Sequence, residues 1–296
     1  MFKNRLVLID GNHLIHRAFW KFKNLKTFEG IPTSVLYGGP YILESLIRKL
    51  SPEKLVVVFD DERSQFRKNL LPGYKERESR LGDLKENFHD QKDTLIELLI
   101  SMGIQVYKPK GYEADDVIAY LTKVYYRNNW EVVIASADKD FVQMINKDIT
   151  MYHVSKGIII DEFNAKDFFG YTPKQCVDYL SILGDASDKI PGYPGIGPKK
   201  AEKFFLDFKS VRKFLNSDAK IGKLDKDELR RIWELNVKLI DLMYFIRNVL
   251  DPDKMVPLNE EPFMDMDKLK ELCRMYEINT FLKPQFLNTF KRLTHV

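Results

Sequence analysis

"SILGDASDKIPGYPGIGPKKAEKFF", Ser181 to Phe205, places Asp185 and Asp188 just ahead of a glycine-rich turn, with Lys199 and Lys200 directly after it. Negative charge beside a segment shaped to hold an anion needs a reason. The turn is not a phosphate loop of the Gly-Lys-Ser/Thr kind, and a helical pattern rather than a strand precedes it, which excludes the dinucleotide fingerprint. What remains is helix, short hairpin, helix. Gly195 and Gly197, flanking Ile196, permit a tight turn with exposed backbone N–H groups, and Pro198 suits a first helical position. The free N–H groups and the helix dipole would face a phosphate. Lys199 and Lys200 would add charge, so the segment would grip a nucleic-acid backbone without reading bases.

Upstream, four apolar runs stand out: Leu6 to Ile9, Leu55 to Phe59, Ile104 to Tyr107 and Val132 to Ala135. Each is continuous rather than alternating, which is how a parallel strand covered on both faces reads. Helical patterns lie between them, one opening at Thr33/Ser34 and one in "EADDVIAYLTKVYYRNN". Strands alternating with helices predict an α/β fold with a parallel sheet. The connection from Asp61 to Met102 is far longer than an ordinary crossover and densely charged, which marks an insertion with its own task. "ITMYHVSKGIIID" predicts a β-hairpin turning at Lys156-Gly157, and from Thr172 onward the chain reads as helices. The expected organisation is a core over 1–171, with the insertion at about 61–102, then a helical region over 172–296 packed on that core. The helix-hairpin-helix would span about 174–206.

Each of the four strands delivers acid just past its C-terminal end: Asp10, Asp60, then Glu113, Asp115 and Asp116, then Asp138 and Asp140. In an open parallel sheet those ends form the ligand crevice, so the seven carboxylates should meet. One by one they could be turn residues, helix caps or dipole partners. Together they repel and cannot all stay ionised unpaired. No matching set of Lys or Arg follows the strand ends. Carboxylates without Cys or paired-His ligands select a hard ion, Mg²⁺ or Mn²⁺, and their number suggests two. Two such ions can serve phosphodiester hydrolysis. A structural Ca²⁺ site is the weaker alternative, since the EF-hand spacing is absent. His13 and His16, three apart on a helical pattern, read as packing or phosphate contacts.

Composition agrees with local rather than bulk charge. The net charge of +4 on 296 residues is too small to coat nucleic acid, so binding must come from patches. Cys176 and Cys273 lie far apart and match no metal spacing, which fits reduced thiols in a cytoplasmic protein. No apolar run has membrane length, and no signal peptide precedes the first strand.

The ordered set Asp10, "VVFD", Tyr74-Lys75, "GYEADD", "SADKD" and "LGDASDKIPGYPGIGPKKA" resembles the 5′-nuclease family of bacterial and phage 5′→3′ exonucleases and flap endonucleases. That family includes the N-terminal nuclease domain of bacterial DNA polymerase I, and the resemblance runs from about Leu6 to Asp241. Without a polymerase domain, the chain is similar to the free-standing phage form. The resemblance implies a PIN-like, resolvase-like nuclease core with a helical arch insertion, followed by a helical region with a helix-hairpin-helix DNA-binding motif. It implies that Asp10, Asp60, Glu113, Asp115, Asp116 and Asp138 surround a first metal, and Asp138, Asp140, Asp185 and Asp188 a second. The ions would be two Mg²⁺, replaceable by Mn²⁺, with K⁺ at the hairpin. Arch residues Arg67 and Lys75, with Arg77 or Arg80, would meet the scissile phosphate. Gly195, Ile196, Gly197, Lys199, Lys200 and Tyr74 would contact DNA. One departure is that the family's arch arginine position, four after the Tyr, is Glu78 here, flanked by Arg77 and Arg80. Another is Leu180, where some relatives carry a basic residue.

The implied activity is structure-specific cleavage at 5′ ends, flaps and branches of DNA, and in RNA–DNA hybrids. The chain would act as a monomer in a bacterial cell or phage-infected host, alongside unidentified replication proteins. The alternatives are a PIN-type ribonuclease, whose chains are usually much shorter, and a non-catalytic branched-DNA-binding protein, which would not need every acid.

Overall fold

Apolar residues on successive positions of one strand must find cover on both of its sides. In the run after Asn4, Leu6 and Leu8 enter one core while Val7 and Ile9 enter another, and all four are buried. This run is β1 (Arg5–Asp10). The computed structural model describes residues 3–76 and 85–293, with the backbone alone for 85–90. In it the other three runs form β2 (Lys54–Val58), β3 (Gln105–Tyr107) and β4 (Glu131–Ser136). Val7 of β1 is in register with Leu55 on one side and Val133 on the other, both parallel. β5 (Ile149–His153) joins β4 in parallel, and β6 (Ile158–Ile160) returns antiparallel through the expected turn, where Gly157 has φ 71°. The sheet order is β3-β2-β1-β4-β5-β6. The chain therefore builds outward from β1 to one edge, then restarts beside β1 with β4. The strand order switches between β1 and β4, and a crevice opens there at the carboxyl ends.

One face of the sheet is covered by α1 (Gly11–Lys21), α2 (Ser34–Leu50) and α4 (Lys85–Ser101). The opposite face carries α5 (Ala114–Arg127), whose Val117 and Ile118 meet Leu6, Leu8 and Ile134. The same core continues into α6 (Ala165–Phe169), α7 (Cys176–Leu183), α8 (Pro198–Phe208), α9 (Val211–Leu215), α10 (Lys226–Ile240) and α11 (Leu242–Asn248). Within the long insertion, α3 (Gln65–Leu70) precedes α4; Arg77, Glu78 and Arg80 lie outside the described residues. Residues 256–293 run back past the edge of the sheet to its other face. The Leu258 N–H donates to Val106 O (2.8 Å) and the Val106 N–H to Asn259 Oδ1 (3.0 Å), covering the sheet edge at β3. Then α12 (Met266–Met275) and α13 (Pro284–Lys291) bury Leu269, Leu272, Phe286 and Phe290 in the α1/α2 core. Among the described residues no helix is long and apolar enough to cross a membrane.

The opening stretch contains a second, two-stranded sheet: β7 (Gly184–Asp185) against β8 (Ile190–Pro191). Its closure depends on two glycines. A Cβ on Gly192 would stand 2.1 Å from Leu183 O, and one on Gly184 would stand 2.3 Å from Gly192 N. Both obstacles are backbone, so no side chain can swing aside, and Gly184 also has φ 79°. Gly195, at φ 77°, has open space around it. Urea unfolding should therefore show Gly184→Ala losing more stability than Gly195→Ala. The latter bears only the cost of a left-handed backbone, about 1–2 kcal/mol, whereas the former must also displace a main chain, for about 1–3 kcal/mol more.

Candidate active site

The acids at the strand ends are fixed by the starts of the helices that follow. Asp10 Oδ1 accepts the His13 N–H (3.0 Å) as the N-cap of α1, and Oδ2 accepts the Ser136 hydroxyl (3.0 Å). Ser136 Oγ accepts the Asp138 N–H (3.1 Å), and Asp138 Oδ1 accepts the Asp140 N–H (2.9 Å). One serine at the end of β4 thus links the acids of β1 and β4. Asp60 Oδ1 accepts the Ala114 N–H at 2.6 Å, at the first residue of α5. Capping and site-building are the same bonds here rather than rival readings. His13 Nδ1 also lies 3.4 Å from Asp10 Oδ2. Burial pushes the Asp10 carboxyl up, but the hydrogen bond and charge of His13 outweigh it and leave the group below its usual range.

Glu113 immediately precedes α5 and is buried. Its Oε1 accepts the Ser64 N–H (3.0 Å); its Oε2 accepts the Tyr74 hydroxyl (3.1 Å), Lys75 Nζ (2.9 Å) and Arg67 (3.4 Å). Burial raises this carboxyl, yet Lys75 and Arg67 together hold it below the usual range. Asp116, 0% exposed, has both oxygens in the fork of Arg67 at 2.7 and 2.8 Å. Arg67 Nε donates to Leu239 O (2.8 Å), and the guanidinium lies 4.5 Å from the Phe245 ring centre.

Three expectations change at this point. Arg67, expected on the arch facing a phosphate, is 2% exposed and belongs to the interior. Tyr74, expected against DNA, is 3% exposed and holds Glu113. Cations do accompany the acids: Arg67 and Lys75 come from the insertion, and Lys139 follows β4 itself. Arg67 pairs with Asp116 and Glu113, Lys75 with Glu113, Asp115 (3.6 Å) and Asp188 (3.8 Å), and Lys139 with Asp185 (3.1 Å). A carboxylate out of water needs such a partner, and the insertion after β2 supplies two of the three. Lys75 reaches its place through a left-handed backbone, φ 52°, and its N–H donates to Asp188 O (3.1 Å).

The second group of acids meets where the β7–β8 hairpin faces the 3-10 turn Lys139–Met144. Asp185 Oδ1 accepts both the N–H (2.8 Å) and the hydroxyl (2.7 Å) of Ser187. Burial opposes ionisation of Asp185, but Ser187 and Lys139 outweigh it and hold the carboxyl below its usual range. Asp140, Asp185 and Asp188 each offer an oxygen within 4.8 Å of the others. Among the described residues Asp140 Oδ1 is buried with no hydrogen-bond partner, and burial, then its neighbours Asp138, Asp185 and Asp188, push that carboxyl well above its usual range. Burial does the same to Asp115, reinforced by Asp138 and Asp10 against the pull of Lys75. An oxygen-only donor set with an orphaned buried oxygen fits a hard divalent cation. Ser136, Ser187 and Lys139 carry no signal of their own in the sequence reading, although Ser136 and Lys139 both lie within "SADKD".

The helix-hairpin-helix turn is exposed at Gly195, Gly197, Lys199 and Lys200, with Ile196 half-buried. Gly197 is the N-cap of α8 and Pro198 its first residue. Lys200 Nζ folds back to donate to Gly195 O (2.8 Å), closing the turn.

Comparison with known proteins gives two adjoining matches: the 5′-3′ exonuclease N-terminal resolvase-like domain over residues 5–170, and the 5′-3′ exonuclease C-terminal SAM fold over 171–255. The 5′-3′ exonuclease of Aquifex aeolicus is 31% identical over 283 residues, covering 94% of each chain. DNA polymerase I of Bacillus subtilis is 36% identical over 233 residues, 77% of this chain but 26% of that one. Among solved structures, T5 5′-exonuclease with bound zinc aligns with TM-score 0.73 at 20% identity, over 92% of this chain and 99% of that one. Flap endonuclease-1 from Methanococcus jannaschii aligns with TM-score 0.57 at 17% identity, over 99% and 93%. The shared architecture is the parallel-sheet core with its helical region.

The interior position of Arg67 generates a prediction. Arg67→Met should leave Asp116 buried without a partner and cost about 3–5 kcal/mol in chemical unfolding. DNA affinity of the folded fraction should stay within about twofold. A phosphate contact would give the opposite pattern.

Proposed function

The chain belongs to the 5′-3′ exonuclease family, and we propose that it cleaves phosphodiesters at 5′ ends, flaps and branches of DNA, using divalent cations held by the carboxylate crevice. The observation that carries this reading is the meeting of acids from both sides of the switch point, with Asp140, Asp185 and Asp188 within 4.8 Å. Asp10, Asp60, Glu113, Asp115 and Asp138 would hold one Mg²⁺, and Asp138, Asp140, Asp185 and Asp188 a second, with Mn²⁺ able to replace either. Asp116 leaves this set, because Arg67 takes both its oxygens. Bound there, the ions would supply Lewis-acid activation of water and neutralise the charge that develops on the phosphate.

The chain's own groups have distinct tasks. Lys75, surrounded by Glu113, Asp115 and Asp188, brings a positive charge to the place where a scissile phosphate would enter. The free N–H groups at the start of α8, with Lys199, would hold the duplex backbone away from the cut. Lys200 shapes the turn through Gly195 O, and the hairpin would also take K⁺. RNA–DNA hybrids as further substrates, a monomeric state and a cytoplasmic setting with replication proteins complete the proposal.

Two experiments test it. Asp138→Asn and Asp140→Asn should bind 5′-flap DNA with near-parent affinity, yet cleave it at less than about a hundredth of the parent rate in Mg²⁺. EDTA should abolish cleavage by the parent. Undiminished cleavage by both variants would refute the metal assignment. Separately, Lys199→Gln should weaken binding to all duplexes alike and reduce the slope of log affinity against log salt by about one.

A further inference from the structure

Asp140 reaches the second acid group from the 3-10 turn Lys139–Met144, while Asp185 and Asp188 reach it from the β7–β8 hairpin. A site made from two segments requires something to fix their separation. Their direct polar ties are slight. Lys139 Nζ meets Asp185 Oδ2 at 3.1 Å, but the lysine side chain is 37% exposed, and ion pairs of that exposure hold little. The Cys176 thiol, on the helix leading into the hairpin, donates weakly to Lys139 O at 3.8 Å.

Both segments are tied instead to the C-terminal end of α10. Asn236, 0% exposed, donates through Nδ2 to Ser181 O (2.8 Å) and Pro191 O (2.7 Å), the carbonyls flanking the hairpin. Two carbonyl acceptors on one nitrogen fix the orientation of the amide. Gln143, on the 3-10 turn, donates through Nε2 to Ile240 O (3.1 Å) and accepts the Leu242 N–H through Oε1 (2.9 Å). Helix geometry separates Asn236 from Ile240 by a single turn, so both ties land on one rigid element.

We propose that Asn236 and Gln143 are positioning residues. They hold the hairpin and the 3-10 turn against the end of α10 and so set the distance of Asp140 from Asp185 and Asp188 for a divalent cation. The proposal rests on the metal reading above. Neither residue touches the acids, so each acts by keeping donor atoms in register, as hydrogen-bonding groups behind metal ligands do.

Mn²⁺ binding to the DNA-free protein, followed by electron paramagnetic resonance, tests this without reference to turnover. Asn236→Leu and Gln143→Leu should each weaken binding about 10- to 100-fold. The Mg²⁺ concentration for half-maximal flap cleavage should rise by a similar factor, while duplex affinity stays within about twofold of the parent. Leu229→Ala, a buried truncation at the other end of α10, controls for lost stability and should leave the Mn²⁺ isotherm unchanged. Should Asn236→Leu fail to fold, half-buried Gln143 carries the test. Parent-like isotherms for the folded variants overturn the proposal, as does an equal loss in Leu229→Ala. Asp185→Asn separates the two levels. If it also leaves Mn²⁺ binding unchanged, the metal reading fails and takes this proposal with it. If it alone weakens binding, only the positioning role fails.

Discussion

Repulsion among carboxylates in one crevice governs the rest of the structure. Asp10, Asp60, Glu113, Asp115, Asp116, Asp138, Asp140, Asp185 and Asp188 converge where the strand order switches. Such a set cannot remain ionised without compensation. Backbone N–H groups at helix starts fix Asp10, Asp60 and Asp138. Arg67, Lys75 and Lys139 neutralise part of the charge. Among the described residues these three cations leave a negative excess on the nine acids, and the orphaned Asp140 Oδ1 marks where burial and like charge are least relieved. The insertion after β2 therefore has a structural duty besides any substrate-gating one, because it carries two of the three cations that make the crevice tolerable.

What could be read from sequence follows from what is local. Continuous β-branched runs became buried parallel strands, and acids one to nine residues past the runs came together as the switch-point geometry requires. The hairpin at Gly157 and the glycine turn at Gly195 were legible because positive φ selects residue type. Burial was not legible. Arg67 and Tyr74 lie in a charged stretch that reads as surface, yet both are interior, since Asp116 and Glu113 can be desolvated only if a cation follows them in. Nor could the return of residues 256–293 to the α1/α2 face be foreseen, since Leu269 and Phe290 would suit any apolar core. Asn236 gave no signal, because its two acceptors are carbonyls about 50 residues away.

The segment around Gly184 and Gly192 explains why acids and an anion-binding turn share one stretch. The two glycines let the chain cross itself at backbone contact distance, so the hairpin closes before the helix-hairpin-helix turn begins. Asp185 and Asp188 are thereby directed into the crevice, while Gly195, Gly197 and Lys199 remain on the surface. A cut at a set distance from the duplex contact requires a rigid link of this kind, since a flexible one would blur it.

That rigidity continues through α10. Near its start, the Asp225 N–H donates to the Tyr193 hydroxyl (2.9 Å) beside the glycine turn, and Trp233 Nε1 donates to Asp178 on α7 (2.7 Å). Near its end, Asn236, Leu239 and Ile240 bond to the hairpin, to Arg67 and to Gln143 respectively. One helix is thus tied to Tyr193 beside the turn proposed to grip the duplex and, through the hairpin backbone, Arg67 and Gln143, to the segments that carry every group of buried acids except those of β1 and β2. The helical region and the sheet form one device on this account: the region proposed to hold the duplex would also align the acids proposed to act on it.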